Sequence, residues 1–174
     1  MMSVRRIALL GILTAATIVI AILESFIPSI GIPGVKLGLA NIMILVILYE
    51  LGIVDAIMVN LLRVIVVGLV RGNIFSMGFL MSITGAIFSL GIMILFYLVV
   101  RKFTVVGVSV IGSIFHVGGQ VIIAMIFLGS AYVVLYLPII GISAIITGVF
   151  VGIVAQLIIK TGIVRKQKER SNLE

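Results

Sequence analysis

The sequence contains no cysteine and no tryptophan, and it has one histidine, one aspartate and three prolines among 174 residues. Without cysteine there is no disulfide, no thiolate metal site and no cysteine nucleophile. One histidine and five carboxylates are too few for a multi-ligand metal site within one chain. We therefore expect no metal, no bound cofactor and no catalytic residues.

Charge is also scarce, because charged residues make up 10% of the chain whereas hydrophobic residues make up 63%. A soluble domain of this size needs far more polar surface. The composition predicts an all-α integral membrane protein, with a single transmembrane domain over 1–174. The net charge of +7 lies mostly at the ends of apolar runs. That position favours attraction to the lipid bilayer, and we expect no nucleic-acid partner.

The apolar runs predict a bundle of six transmembrane helices, since a span needs about 20 apolar residues. The predicted spans run near 7–27, 37–51, 53–71, 74–100, 104–128 and 133–160, and a polar cytoplasmic tail follows over 161–174. The second and third spans are short, and a long hairpin or a re-entrant pair is the alternative there. The segment 28–34 contains two prolines and two glycines, which predict a loop.

The basic residues predict the orientation of the bundle. With six spans, nine of them lie on the side of both termini, and only Lys36 and Arg71 lie at the opposite side. The positive-inside rule then predicts a multi-pass protein of the cytoplasmic (inner) membrane with both termini in the cytoplasm. Glu50 and Asp55 lie near the turn on the cytoplasmic side, where we expect them to be solvated rather than catalytic.

Polar and ionisable residues inside apolar spans are candidates for function, because each costs several kcal/mol unless it is paired or reaches water. The predicted topology places most of them toward the outer side of the bundle. We predict a water-accessible cavity there, for a small-molecule ligand with an anionic or polar portion, because the basic residues outnumber the acidic ones. The candidate ligand-binding residues are Arg63, Asn41, His116, Gln120, Glu24, Lys36, Asn60, Arg71 and Asn73.

Structural roles are the alternatives for several of these residues. Lys36 and Arg71 are equally suited to extending toward the membrane interface. Glu24 is also placed to form an internal ion pair with Arg63 or Lys36. The histidine and the glutamine of span five, four residues apart, are alternatively hydrogen-bonding groups between packed helices.

Small residues form two stripes that allow close helix packing. In span one, Ala8, Gly11 and Ala15 share a face, for which docking of a partner protein competes with packing inside the chain. In span six, packing inside the chain is the expected role. The span-six residues are Gly141, Ala144, Gly148, Gly152 and Ala155.

Four motifs resemble the family described as heptaprenyl diphosphate synthase component I, whose members are also called Gx transporter family proteins. The motifs are Gly34–Ile42 (GVKLGLANI), Leu62–Val64 (LRV), Arg71-Gly72 and Phe115–Gln120 (FHVGGQ). The resemblance covers roughly residues 7–160. It implies a role in isoprenoid synthesis, but chain-elongating prenyl synthases bind magnesium and diphosphate through aspartate-rich clusters. With Asp55 as its only aspartate, the chain is expected to be a non-catalytic membrane component beside a soluble prenyl synthase.

The predicted architecture is also similar to the substrate-binding S components of energy-coupling-factor transporters. That similarity implies an outward pocket, a lid formed by the loop after span one, and docking of a partner through Ala8, Gly11 and Ala15. It also implies energising transmembrane and ATPase subunits as partners, since the chain has no nucleotide-binding motif. Our first hypothesis is therefore a substrate-binding and translocation subunit of a small-molecule uptake system. The alternatives are the membrane component of heptaprenyl diphosphate (isoprenoid or menaquinone) synthesis and a quinone- or flavin-linked electron-transfer helper.

Overall fold

The computed structural model describes residues 4–26, 36, 38–99 and 103–162, and within these ranges every regular element is helical. The elements are α1 (Val4–Glu24), α2 (Asn41–Glu50), α3 (Ile53–Val70), α4 (Met77–Val99), α5 (Val105–Leu128), a 3-10 segment (Ala131–Tyr136) and α6 (Leu137–Thr161). The predicted loop over 28–34, with its proposed lid role, and the tail from 163 onward lie outside the described residues.

Among the described helices, five are long and apolar enough to cross a membrane: α1, α3, α4, α5, and the 3-10 segment together with α6. This confirms the predicted all-α membrane protein. The second predicted span, 37–51, contains only the 10 residues of α2. At 1.5 Å per residue α2 is about 15 Å long, roughly half the thickness of the hydrocarbon core. The predicted count of six is therefore approximate, since the bundle combines five long helices with one short helix.

The short helix α2 lies at the centre of the bundle. Its residues Ile44–Leu48 are at most 1% exposed, and the helix packs against α6, α3, α1 and α5. The apolar core around it includes side chains of all five long helices. The apolar sequence of α2 thus reflects burial inside protein rather than contact with lipid.

Both described ends of the chain lie on one side of the bundle, which we call the termini side. There Arg6, near the start of α1, forms a salt bridge with Asp55, in the first turn of α3, with 2.8 Å between Nη2 and Oδ2. Asp55 is 5% exposed, so the expectation that it is solvated is wrong. Its carboxylate is stabilised by the arginine and by the positive end of the α3 dipole.

Glycines set the close contact between α5 and α6. A Cβ atom on Gly148 would lie 2.8 Å from Cα of Val110, and one on Gly152 would lie 2.6 Å from Cα of Val106. Real side chains do not fit at such distances, so both positions require glycine for the helices to approach. The predicted packing role of the span-six stripe is confirmed at these two positions.

Candidate functional site

A cavity opens on the side of the bundle opposite the termini, which we call the cavity side. The ends of α1 and α3, the start of α4, the residues before α2, and one side chain of α5 form its wall. Its empty volume is about 520 Å³, including the space at its open mouth. Six of the nine predicted ligand-binding residues line this wall: Glu24, Lys36, Arg63, Arg71, Asn73 and His116.

Arg63 lies deepest among the cations of this wall, on α3, and only 5% of it is exposed. Its Nη2 donates a hydrogen bond to Oδ1 of Asn41, the first residue of α2, at 3.0 Å. The amide nitrogen of Asn41 in turn donates to Oγ of Ser89 on α4, at 3.2 Å. Within the described part of the chain, Nε of Arg63 has no hydrogen-bond partner. The guanidinium is thus held in place by an amide, while its buried Nε–H makes no hydrogen bond to the described residues.

Glu24, at the end of α1, binds backbone groups just before α2. Its Oε1 accepts a hydrogen bond from the N–H of Gly38, and its Oε2 accepts one from the N–H of Ala40 at 3.4 Å. Gly38 has a φ of +82°, a conformation that side chains with a Cβ adopt rarely. Among the described residues, no ion pair within 4.0 Å joins Glu24 to Arg63 or Lys36. Glu24 therefore fixes the chain at the start of α2.

A chain of hydrogen bonds determines the proton position on His116. The backbone N–H of Lys36 donates to Oε1 of Gln120 at 3.1 Å. Because a backbone N–H can only donate, the amide oxygen must face Lys36, and Nε2 of Gln120 must face the imidazole. That nitrogen lies 2.9 Å from Nε2 of His116, to which it donates. The neutral ring then carries its proton on Nδ1, which has no hydrogen-bond partner in the described part of the structure.

Two glycines allow α4 and α5 to meet directly behind His116. A Cβ on Gly85 would lie 2.9 Å from the backbone oxygen of His116, and a Cβ on Gly119 would lie 3.0 Å from that of Thr84. This contact fixes how deeply the histidine and Gln120 lie in the bundle. Neither glycine was among the predicted site residues, because a glycine in an apolar span carries no chemical signal of its own.

Lys36 and Arg71 lie nearer the mouth of the cavity. Burial lowers the pKa of Lys36; the Glu24 carboxylate opposes this shift, and the positive charges of Arg71 and Arg63 add to it. Arg71 is exposed, as expected for a side chain that extends toward the interface, and it lines the cavity as well. Lys36 by contrast is only partly exposed, so it lies among the cavity groups rather than in free solvent.

The other three predicted residues, Asn41, Asn60 and Gln120, are outside the cavity wall and hold its parts together. Asn60 donates from Nδ2 to the backbone oxygen of Ala86 at 3.1 Å and so joins α3 to α4. The wall also contains residues absent from the prediction, including Phe79 and Ser82. Nothing in the sequence distinguishes these two residues from other aromatic and hydroxyl residues of the spans.

The cavity wall combines several kinds of chemical group. It offers cations, N–H donors and apolar surface, and within the described ranges no group of three His, Asp or Glu side chains could hold a metal ion. No curated protein and no solved structure matches the chain. One family model, described as heptaprenyl diphosphate synthase component I, matches residues 13–158, which extend from α1 into the last turn of α6. The chain therefore belongs to the heptaprenyl diphosphate synthase component I family.

Proposed function

We propose that this protein is the substrate-binding and translocation subunit of a small-molecule uptake system, similar to an energy-coupling-factor S component. The observation that carries the proposal is a cavity lined by charged and apolar side chains within a bundle of membrane-length helices, open on the side opposite the termini. In the proposed orientation the termini are cytoplasmic and the cavity faces outward, as the distribution of basic residues favours. The protein binds its ligand and leaves the energy supply to partner subunits.

The exposed face of α1 supports a docking role within this proposal. Ala8, Gly11 and Ala15 are all exposed, and a Cβ on Gly11 would meet no atom within 4 Å. Small residues that are not used for packing inside the chain leave a shallow groove that a second membrane helix can approach closely. We assign this face to the energising transmembrane subunit.

A second candidate function follows from the family description. The words "component I" imply a second component of a heptaprenyl diphosphate synthase, so this chain would serve as its membrane partner. The cavity wall combines cations with the apolar side chains of Val64, Val67 and Phe79. That combination suits a molecule with a diphosphate and a prenyl chain.

Native mass spectrometry of the protein, extracted gently from its own membrane, tests the proposal. Wild-type protein should retain a small molecule or an ATPase-containing complex. Arg63→Ala should lose most of the small molecule while remaining folded, because it removes the deepest cation of the wall. Lys160→Ala should retain it, since Lys160 is exposed in the last turn of α6 on the termini side.

The possible outcomes separate the two candidates. A water-soluble molecule together with an ATPase supports uptake, whereas a soluble prenyl synthase with a retained polyprenyl compound supports the second candidate. Folded wild-type protein that holds no small molecule and no partner contradicts both. If Arg63→Ala retains as much of the small molecule as wild type does, the assignment of Arg63 to the binding site is contradicted.

A further inference from the structure

Positive charge is in excess on the cavity wall. Lys36, Arg63 and Arg71 line the cavity together with a single carboxylate, that of Glu24, which leaves a surplus of two positive charges among the described lining residues. Glu24 already accepts hydrogen bonds from two backbone N–H groups, and Arg63 is hydrogen-bonded to a neutral amide instead. A buried guanidinium that has a carboxylate in the same cavity but no direct ion pair with it is costly, so this site is suited to an additional anion.

Two buried hydrogen-bond donors on residues of the same wall make no well-formed hydrogen bond within the described ranges. They are Nε–H of Arg63 and, with the proton position derived above, Nδ1–H of His116. The backbone of Gly85 makes a hydrogen-bonding contact with the imidazole, although the geometry at Nδ1 falls short of a well-formed hydrogen bond. Both side chains are at least nine-tenths buried, with exposures of 5% and 4%. A ligand group that reaches these two donors has to supply hydrogen-bond acceptors.

We propose that the cavity binds the phosphate or diphosphate group of its ligand, with Arg63 and His116 donating to it and Lys36 and Arg71 compensating its charge. This inference rests on the proposed binding function and names the class of ligand. A phosphate monoester carries about −1.5 to −2 charges near neutral pH and has three acceptor oxygens. A carboxylate carries one charge, so it would leave one of the two surplus cations uncompensated.

The natural absence of cysteine allows a direct test. Ser82 lines the cavity and is partly exposed, so Ser82→Cys introduces one thiol whose labelling by a maleimide reports access to the site. In detergent, at constant ionic strength, inorganic pyrophosphate and phosphate should slow labelling in a saturable way. Acetate, a carboxylate probe with a single charge, should not.

Charge-removing variants in the Ser82→Cys background connect this protection to the proposed residues. Arg63→Gln should raise the pyrophosphate concentration for half-maximal protection by about 10- to 100-fold, the usual range for a lost hydrogen bond to a charged group. Arg71→Gln, at the exposed mouth, should raise the same concentration by a smaller factor. This variant provides the test if Arg63→Gln does not fold. Lys160→Gln removes the same charge on the termini side and should leave protection unchanged.

Protection by acetate equal to that by pyrophosphate would overturn the inference, as would unchanged protection in both arginine variants. If a phosphorus-free molecule retained from the native membrane protects Ser82→Cys, the phosphate inference fails while the proposed function stands. If no molecule is retained and no probe protects, both fail.

The source of the phosphate group is determined by a lipid comparison. Slower labelling in phosphatidylglycerol nanodiscs than in phosphatidylcholine nanodiscs, without added anion, assigns the phosphate to an anionic lipid headgroup. Equal labelling in the two lipids, together with protection by pyrophosphate in lipid-free detergent, assigns it to a separate small molecule. Either result supports a phosphate site.

Discussion

At the scale of single residues, each deep cavity group is oriented by an uncharged amide. Asn41 holds the guanidinium of Arg63, and Gln120 contacts both the imidazole of His116 and the backbone of Lys36. The amide groups occupy no part of the cavity wall themselves. Their role in the proposed site is therefore to fix the direction in which the guanidinium and the imidazole point.

Asn41→Ala should lower both thermal stability and anion binding. The change leaves Nη2 of Arg63 and Oγ of Ser89 without their partner in a buried region, which costs about 1–3 kcal/mol. Thermal stability is best followed by size-exclusion chromatography of heated detergent samples, because the chain has no tryptophan. Asn73→Ala, a partly exposed position at the mouth, is the matched control for thermal stability, which should stay close to that of wild type. Equal stability of the two variants would contradict the role of Asn41.

The lowered pKa of Lys36 predicts a pH dependence of anion binding. Protonated Lys36 attracts an anion, so affinity is highest below its pKa and falls as pH rises through it. Because burial and the charges of Arg71 and Arg63 lower this pKa while Glu24 opposes them, the fall should begin at a lower pH than for a solvated lysine. Binding of radiolabelled sulfate, whose charge stays constant, measures this from about pH 7 to about pH 10.

Lys36→Arg is the control for the pH series, since an arginine stays protonated over this range. Its sulfate affinity should change little with pH. If sulfate affinity falls with pH in the same way for wild type and Lys36→Arg, a group other than Lys36 controls the pH dependence.

The residues of the site were predictable from sequence where they are chemically conspicuous. An arginine or a histidine inside an apolar span is rare enough to be noticed, and both Arg63 and His116 do line the cavity. Their partners were not predictable, because a sequence gives the depth of a residue along its helix but not the residue it faces. The binding of Glu24 to the N–H groups of Gly38 and Ala40 is an example.

At the scale of helices, α4 and α5 approach through glycine, and two adjacent positions provide a matched comparison. Gly119→Ala would place a Cβ 3.0 Å from the backbone oxygen of Thr84, whereas a Cβ on Gly118 would meet no atom within 4 Å. Gly119→Ala should force the helices apart and cost about 1–3 kcal/mol. Gly118→Ala should be neutral or stabilising by up to about 1 kcal/mol, since alanine favours helix.

The thermal stability of the two glycine variants is again measured by size-exclusion chromatography of heated detergent samples. Gly119→Ala should in addition weaken ligand binding, because the displaced helix carries His116. If both variants are equally stable, the α4–α5 contact is not as close as the structure indicates.

The short helix α2 shows where prediction from hydropathy ends. Its 10 residues read as part of a span because apolar side chains are required in lipid and in a protein core alike. Only the neighbours of Ile44–Leu48 show that these side chains contact protein. The long helices contain enough consecutive apolar residues for length alone to identify them.

At the scale of the whole molecule, the proposed orientation places Asn73 outside the cell membrane and Lys160 inside. In the cysteine-free chain, Asn73→Cys should react with a membrane-impermeant maleimide in intact cells, and Lys160→Cys should react only after permeabilisation. Residue 73 lies before α4 on the cavity side, and residue 160 lies in the last turn of α6. The reverse pattern would place the cavity in the cytoplasm and contradict uptake from outside.

The central position of α2 also has a consequence for biogenesis. A helix of about 15 Å cannot be held across a bilayer by lipid alone, and one of the helices that bury it is α6, the last helix of the described chain. The ribosome therefore releases α2 long before the surface that encloses it has been synthesised. Until α6 is inserted, α2 has to be held by α1 and α3 or by the insertion machinery. The order in which the helices are synthesised therefore differs from the order in which they pack.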